Sequence, residues 1–422
     1  MKRRDFLASA AALSLLAKEA WAARKPQAAK PATSAKPKPA AGGGRNKPAG
    51  GRNAARQNLR NSGTAHPQGP VVHTAEDPVI ERPPQGTSAS RLPPVKAPEP
   101  PSEWRTYEIT TSINLKSPGG PSKLWLPLPL NQDTLFQRTL GHGWSGNPAS
   151  AAMRRLPDGD LEVFHCEWTG DGDATLNLTT QVTTADRHFD VAKRTVAPER
   201  EDILRRNLHA SKLIPNDGLA FQLGERIIGR IKDPVAQAKA IYDWVVDNTT
   251  YDPSIEGCGS GDVRKQLING QYGGRSADIN GLFVAICRAI GIPARCVYGL
   301  RVGPSRLFRS LGVANNDASR GQHVRAEFYI PGYGWIPVDP SDVRRAMAME
   351  GLRDRDSSLN SLRRVLFGVW EMNWIAFNLG NDITLPGKQI AQNFLLYPQL
   401  ENGNGGNSAN FQYSIRVRQI VL

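Results

Sequence analysis

The sequence predicts an α+β protein, with strands at both ends of the ordered chain and helices between them. Residues 103–195 hold runs of apolar residues alternating with period two, set off by Asp-Gly turn signals. Two well-marked helical patterns follow, at 233–248 and 276–290, and strand patterns return from Pro293 onward.

The chain opens M-K-R-R-D-F-L. Arg3 and Arg4 precede Phe6 and Leu7, an apolar run reaches Ala17, and Ala20-Trp21-Ala22 fits a small-residue cleavage site. Residues 1–22 are expected to be a twin-arginine export signal, with an ordinary secretory signal as the alternative. The expected location is periplasmic or secreted. No other run approaches the roughly 18 apolar residues of a membrane span, so no transmembrane span is expected in the mature chain. Residues 23–100 are rich in Pro, Ala, Lys, Gly and Arg and nearly free of large apolar side chains, the composition of a disordered basic linker.

The net charge of +14 is unevenly distributed. Thirteen Lys/Arg against four Asp/Glu lie in residues 23–100, and the part beyond residue 100 carries only +3. Nucleic acid is therefore excluded as an expected partner of the folded part, while the tail suits an anionic envelope polymer or simple solubility. The four cysteines, Cys166, Cys258, Cys287 and Cys296, show no metal-binding spacing and no disulfide framework is expected.

The first strand is R-T-Y-E-I-T-T-S-I-N-L, where Tyr107, Ile109, Ile113 and Leu115 share one parity. K-L-W-L-P-L-P, L-E-V-F-H-C-E-W and A-T-L-N-L-T-T-Q-V-T-T complete an antiparallel β domain over 103–195. Asp233 and Pro234 mark the start of the first helix, whose inner stripe is Ile241, Trp244 and Val245. In the second, Ile279, Leu282, Phe283, Ile286 and Ile290 form the apolar face, and Gly291 and Pro293 end it. P-A-R-C-V-Y-G-L-R-V is a strand, and H-V-R-A-E-F-Y-I and W-I-P-V-D form a hairpin across Pro331–Gly334. A last strand carries Phe411, Tyr413, Ile415 and Val417 on one face.

Ser276 stands at the N-terminus of the second helix, where unpaired backbone N–H groups and the helix dipole favour an anion. On this residue alone, an ordinary capping serine is the commoner explanation. His323 follows 47 residues later at the start of one hairpin strand, and Asp339 a further 16 on at the end of the other. An odd turn length, for example three, puts both side chains on one face within diagonal reach; an even one separates them. Asp339 before Pro340 also suits a turn residue. Gln322 is a candidate donor to a carbonyl oxygen. Trp335 is either a shield for the imidazole pair or a core tryptophan. Asp278 lies in the first turn of the helix and suits its dipole. Arg306, Arg309 and Arg320, in the loop 303–320, form a candidate rim for anionic ligands, or a solvated loop.

Several pieces have a joint pattern: A-x-x-I-Y-D-W-V-V-D-N-T-x-Y-D, G-C-G-x-G-D-V, G-G-R-S-A-D-I-N-G-L-F-V, G-I-P-A-R, Q-H-x-R-A-E, G-Y-G-W-x-P-V-D-P and L-F-G-V-W-E-M-N-W-I-A-F-N. On these, the chain from about Trp104 onward resembles bacterial transglutaminase-like proteins of the papain-like superfamily. The resemblance implies a papain-like core at 196–367, with its central helix against an antiparallel sheet, and a C-terminal β extension at 368–422 packed on it. It also implies a mechanism in which a cysteine attacks an amide carbonyl, histidine moves the proton and aspartate orients the histidine. His323 carries over as base and Asp339 as orienter. Ser276 stands where the family has its cysteine.

Three readings follow from that change. The first is acyl transfer or amide hydrolysis on peptide or cell-wall amides through a Ser-His-Asp variant, with Gln322, Trp335 and Asp278 in support. The alternative is a catalytically inactive protein that binds peptide or envelope polymer in the same cleft. A third moves the nucleophile to Cys258, although G-C-G itself belongs to the family pattern and suggests a structural cysteine. No acidic loop matches the calcium sites of some transglutaminases, so no metal and no cofactor are expected.

Overall fold

The structure is a computed structural model that describes residues 101–156, 161–170, 172–190, 196–402 and 411–421. The expected export signal, the whole of the linker and the Asp-Gly-Asp turn at 158–160 lie outside the described residues. The first part of the chain contains β1 (Arg105–Leu115), β2 (Ser122–Pro127), β3 (Gln137–Gly146), β4 (Ser150–Leu156), β5 (Leu161–Trp168), β6 (Ala174–Thr184) and the short β7 (Arg187–His188). Then come α1 (Glu201–Arg206), α2 (Gly218–Ile228), α3 (Pro234–Asn248), β8 (Thr250–Tyr251), α4 (Val263–Asn269), β9 (Gly273–Gly274) and α5 (Ser276–Ala289). The rest holds β10 (Ala294–Arg301), β11 (Gln322–Ile330), β12 (Gly334–Val338), α6 (Pro340–Met349), α7 (Ser357–Val365), β13 (Val369–Trp370), β14 (Trp374–Asn378), β15 (Gln399–Asn402) and β16 (Phe411–Ile420).

Alternation in the sequence becomes a two-sheet packing in space. One antiparallel sheet runs β16-β1-β6-β3 and a second runs β15-β2-β5-β4. Their inner faces share one apolar cluster, in which Ile113, Leu115, Leu176 and Leu178 meet Leu124, Leu126, Phe164 and Trp168. Strands β3 and β4 carry mostly exposed side chains and lie at sheet edges, which is why hydropathy alone does not reveal them.

The second layer is helical. Asp233 caps α3 by accepting from the Ala236 N–H at 2.8 Å, with Pro234 at the first helical position. The buried stripe of α3 is Ile241, Tyr242 and Val245, whereas Trp244 is half-buried against Tyr272. Helix α5 departs further from expectation. Every residue from Ser276 to Arg288 is buried, so the helix is enclosed on all sides rather than amphipathic. Its Phe283 meets Phe328 of β11 with ring centroids 6.0 Å apart. Burial of a side chain of this size contributes about 1.5–3 kcal/mol.

The sheet beneath α5 runs β12-β11-β10-β14, all antiparallel. The segment 368–422 does more than pack on this core. Strand β14 extends the core sheet at β10, β15 pairs with β2, and β16 pairs along the whole of β1 from Thr106↔Ile420 to Leu115↔Phe411. Both N-terminal sheets are thus completed by the C-terminal strands. All four cysteines are buried free thiols. Among the described residues no helix is long and apolar enough to cross a membrane.

Candidate functional site

Ser276 is the first residue of α5, one position inside the helix, with Arg275 at the cap. The helix start is fixed by Asp278. Its carboxylate accepts from the N–H of Arg275 at 2.9 Å and of Gly261 at 2.8 Å, and from the Ser260 hydroxyl at 3.3 Å. The G-C-G-S-G loop is thereby clamped to the helix. Gly259 (φ +87) is required there, because a Cβ would lie 1.8 Å from Asp278 Oδ2. Burial pushes the Asp278 carboxyl up, opposed by these same hydrogen bonds. Asp278 therefore shapes the site rather than facing a ligand.

His323 and Asp339 are joined by the hairpin. Ile330 pairs with Gly334 across a three-residue turn, and Ala326 pairs with Val338. One step further sets Asp339 opposite Arg325, two residues from His323 on the same face. The result is a hydrogen bond of 2.7 Å between His323 Nε2 and Asp339 Oδ2. Asp339 also caps α6, its Oδ1 accepting from the Asp342 N–H at 3.1 Å and from the Ser341 hydroxyl at 2.7 Å. The two roles open to this residue in the sequence are both filled by one carboxylate.

Helix α5 meets the pair one turn beyond Ser276. Asn280 Nδ2 donates to the Val324 carbonyl at 2.8 Å, to Ser341 Oγ at 2.9 Å and to Asp339 Oδ1 at 3.2 Å. Ser276 Oγ accepts from the Val324 N–H at 3.2 Å and lies beside the Cys258 thiol. The serine is thus brought next to the backbone of the His323 strand. Among the described residues, no hydrogen bond joins its hydroxyl to the imidazole. Ser276, His323 and Asp339 are 5%, 3% and 0% exposed, so the group is enclosed.

Charge around the imidazole is dense. Arg301 donates to Asp342 Oδ1 at 2.6 Å, and that oxygen lies 3.5 Å from His323 Nε2. Arg325 Nε is 3.6 Å from Asp339 Oδ2, and its guanidinium lies over the Trp374 ring at 4.7 Å. Burial holds the imidazole well below the usual histidine value of 6.5; Arg301 adds to this and Asp342 opposes it. That direction favours the neutral ring, with Nε2 turned to the Asp339 carboxylate. Burial likewise lowers Arg325, to about 10. The Cys258 thiol is pushed up by burial, which leaves it protonated.

Gln322 begins β11, and its Nε2 is buried without a hydrogen-bond partner of good geometry, beside Tyr413 of β16. Trp335 requires a correction. It pairs with Tyr329, six residues along β11 from His323, roughly 20 Å away at the usual strand rise. Its ring stacks on Arg295 at 3.8 Å and its Nε1 donates to Glu199, so it does not cover the imidazole. The tryptophan that supports the site is Trp374, whose Nε1 donates to the His323 carbonyl at 3.2 Å. It fits because Gly299, opposite His323, has no side chain; a Cβ there would lie 2.4 Å from the Trp374 ring. Arg306 is no free rim charge, being paired with Asp186 and close to Glu371.

Sequence reasoning missed Asn280, Arg301, Arg325, Asp342 and Trp374. Asn280 was within reach, since it follows Ser276 by four residues and shares its helix face. His323, Asp339 and Asp342 lie close enough to suggest a metal site. Their oxygens are already taken by Nε2, Asn280, Ser341 and Arg301, and Arg301 and Arg325 place positive charge beside them. That donor set does not suit a cation.

A helix-N-terminal residue, a histidine on one hairpin strand and an aspartate ending the next define the papain-like class of site. Residues 222–340 match the core model of the transglutaminase-like superfamily. A protein of Haemophilus influenzae described only as uncharacterized is 33% identical over 333 residues, spanning 73% of this chain and 89% of that protein. A solved candidate cysteine protease of Cytophaga hutchinsonii is similar at 18% identity and TM-score 0.43, covering 75% of this chain and 99% of that one. The periplasmic domain of TgpA from Pseudomonas aeruginosa is similar at 17% identity and TM-score 0.31, over 59% of this chain and 97% of that one. This chain belongs to the transglutaminase-like superfamily, with the papain-like core that its sequence motifs imply.

Proposed function

We propose that this protein is an exported binding protein on a transglutaminase-like frame, holding a peptide or cell-wall amide at the Ser276 end of α5 without turning it over. The observation that carries the reading is the partner of the Ser276 hydroxyl: the Val324 N–H donates to it, and the imidazole does not engage it. A cysteine in this position tolerates such an arrangement, because a thiolate forms at a helix N-terminus without a shared proton. A serine does not, since its proton must leave as it attacks, and that needs a tight bond to the base. His323 is also a weak base here. Each unit by which its pKa is depressed adds about 1.4 kcal/mol to the proton transfer.

The binding half of the proposal rests on donors. Gln322 begins β11 next to His323 with its amide turned toward Tyr413, and a turn of that side chain would present its N–H to a ligand carbonyl. Cys258 does not supply the missing nucleophile, being buried and protonated. Export is read from Arg3, Arg4 and the apolar run behind them. A second reading, acyl transfer or amide hydrolysis through Ser276, has the 2.7 Å bond between His323 and Asp339 in its favour.

The test is Ser276→Cys, made in a Cys258→Ala background because the two side chains touch and two thiols there would pair on oxidation. Amide hydrolysis or amine incorporation on peptide amides is expected from the cysteine form only. Equal turnover by the natural serine form would remove the binding reading.

A further inference from the structure

The loop between β10 and β11 borders a half-open cavity of about 400 Å³ with an apolar wall and one cationic edge. Leu307, Phe308 and Val313 supply the wall and Arg309 the charge. Of the other polar groups there, the Ser305 hydroxyl is engaged by Glu371. Arg306, the neighbouring arginine, is bound to Asp186. Arg309 forms no ion pair within 4 Å among the described residues; it feels the Glu350 carboxylate at longer range, and that carboxylate accepts from the Ser310 N–H at 2.7 Å.

The stretch Ser310–Leu311, between the lining residues Arg309 and Gly312, is held firmly. Arg345 Nε donates to the Ser310 carbonyl at 2.7 Å, Asn373 Nδ2 to that of Leu311 at 3.2 Å, and Arg301 also donates to Leu311. Arg301 bonds Asp342 as well, and Asp342 adjoins His323. The cavity is therefore two side chains away from the enclosed site.

We infer that this cavity takes the C-terminal end of a peptide, with an apolar last side chain against Leu307, Phe308 and Val313 and the free carboxylate on Arg309. A guanidinium gives a carboxylate two parallel charge-assisted hydrogen bonds, which a neutral amide end cannot accept in the same way. The inference rests on the binding reading above and adds which end of the ligand is recognised.

The experiment titrates N-acetyl-leucyl-phenylalanine, as the free acid and as its C-terminal amide, into the protein by calorimetry at low salt. The acid is expected to bind at least about tenfold more tightly than the amide. Arg309→Gln should abolish that preference, and Val313→Trp, which fills the cavity, should weaken both ligands. Equal binding of acid and amide, no binding of either, or a preference that survives Arg309→Gln overturns the inference. The Ser276→Cys form in the Cys258→Ala background separates this inference from the reading beneath it. Its turnover of internal peptide amides reports the cleft alone, so an acid preference that is absent while that turnover is present overturns the cavity and spares the cleft.

Discussion

At Ser276 a hydroxyl, with its far weaker acidity than a thiol, decides which neighbours can matter. The hydroxyl rests on a backbone N–H and beside a buried thiol, a stable place for a neutral group. Around it, shape is set by glycines that leave room for Asp278. Gly259→Ala must either move the Asp278 carboxylate or leave positive φ, and is expected to cost about 3 kcal/mol, read as a fall in the urea midpoint. An unchanged midpoint would mean that the G-C-G-S-G loop is not clamped as described. Of the residues here, Ser276, His323 and Asp339 were legible because a motif and a strand parity point at them. Arg301 and Asp342 were not, because each matters through a partner 41 residues away, and no local pattern encodes that pairing.

Among the elements, the β11–β12 hairpin and the start of α6 act as one device. A three-residue turn fixes the face of Asp339, and Pro340 starts a helix on it. Asp339→Ala removes a cap and leaves Asn280, His323 and Arg325 short of a buried acceptor. It is expected to destabilise by about 3–5 kcal/mol. Asp339→Asn keeps an oxygen for the cap and should cost clearly less by denaturant titration. Equal losses would show that the cap and the network are unimportant beside the charge. Helix α5 was legible in position and extent, but the burial of Ser276, Asp278 and Asn280 was not. They are buried because the G-C-G-S-G loop and the hairpin cover them, which only the tertiary fold determines.

For the whole molecule, the β-rich ends and helical middle were readable from periodicity, whereas the closing of both N-terminal sheets by β15 and β16 was not. Partners such as Ile109 and Val417 are some three hundred residues apart, and alternation specifies a strand without naming its neighbour. The folded molecule also carries a pH signature. Burial holds His142, His165 and His323 below 6.5, so below that pH the unfolded chain binds protons that the native one refuses. Stability is then full above pH 6.5 and declines as the pH falls, and His323→Asn should flatten the decline between about pH 7 and 5.5. A decline just as steep in the variant would mean that His323 is not held neutral by the fold. The central claim, that the serine at the start of α5 is not an activated nucleophile, is tested most directly by a fluorophosphonate probe and intact mass. The account predicts no adduct on Ser276 in the natural protein, and stoichiometric labelling there that disappears in Ser276→Ala would contradict it.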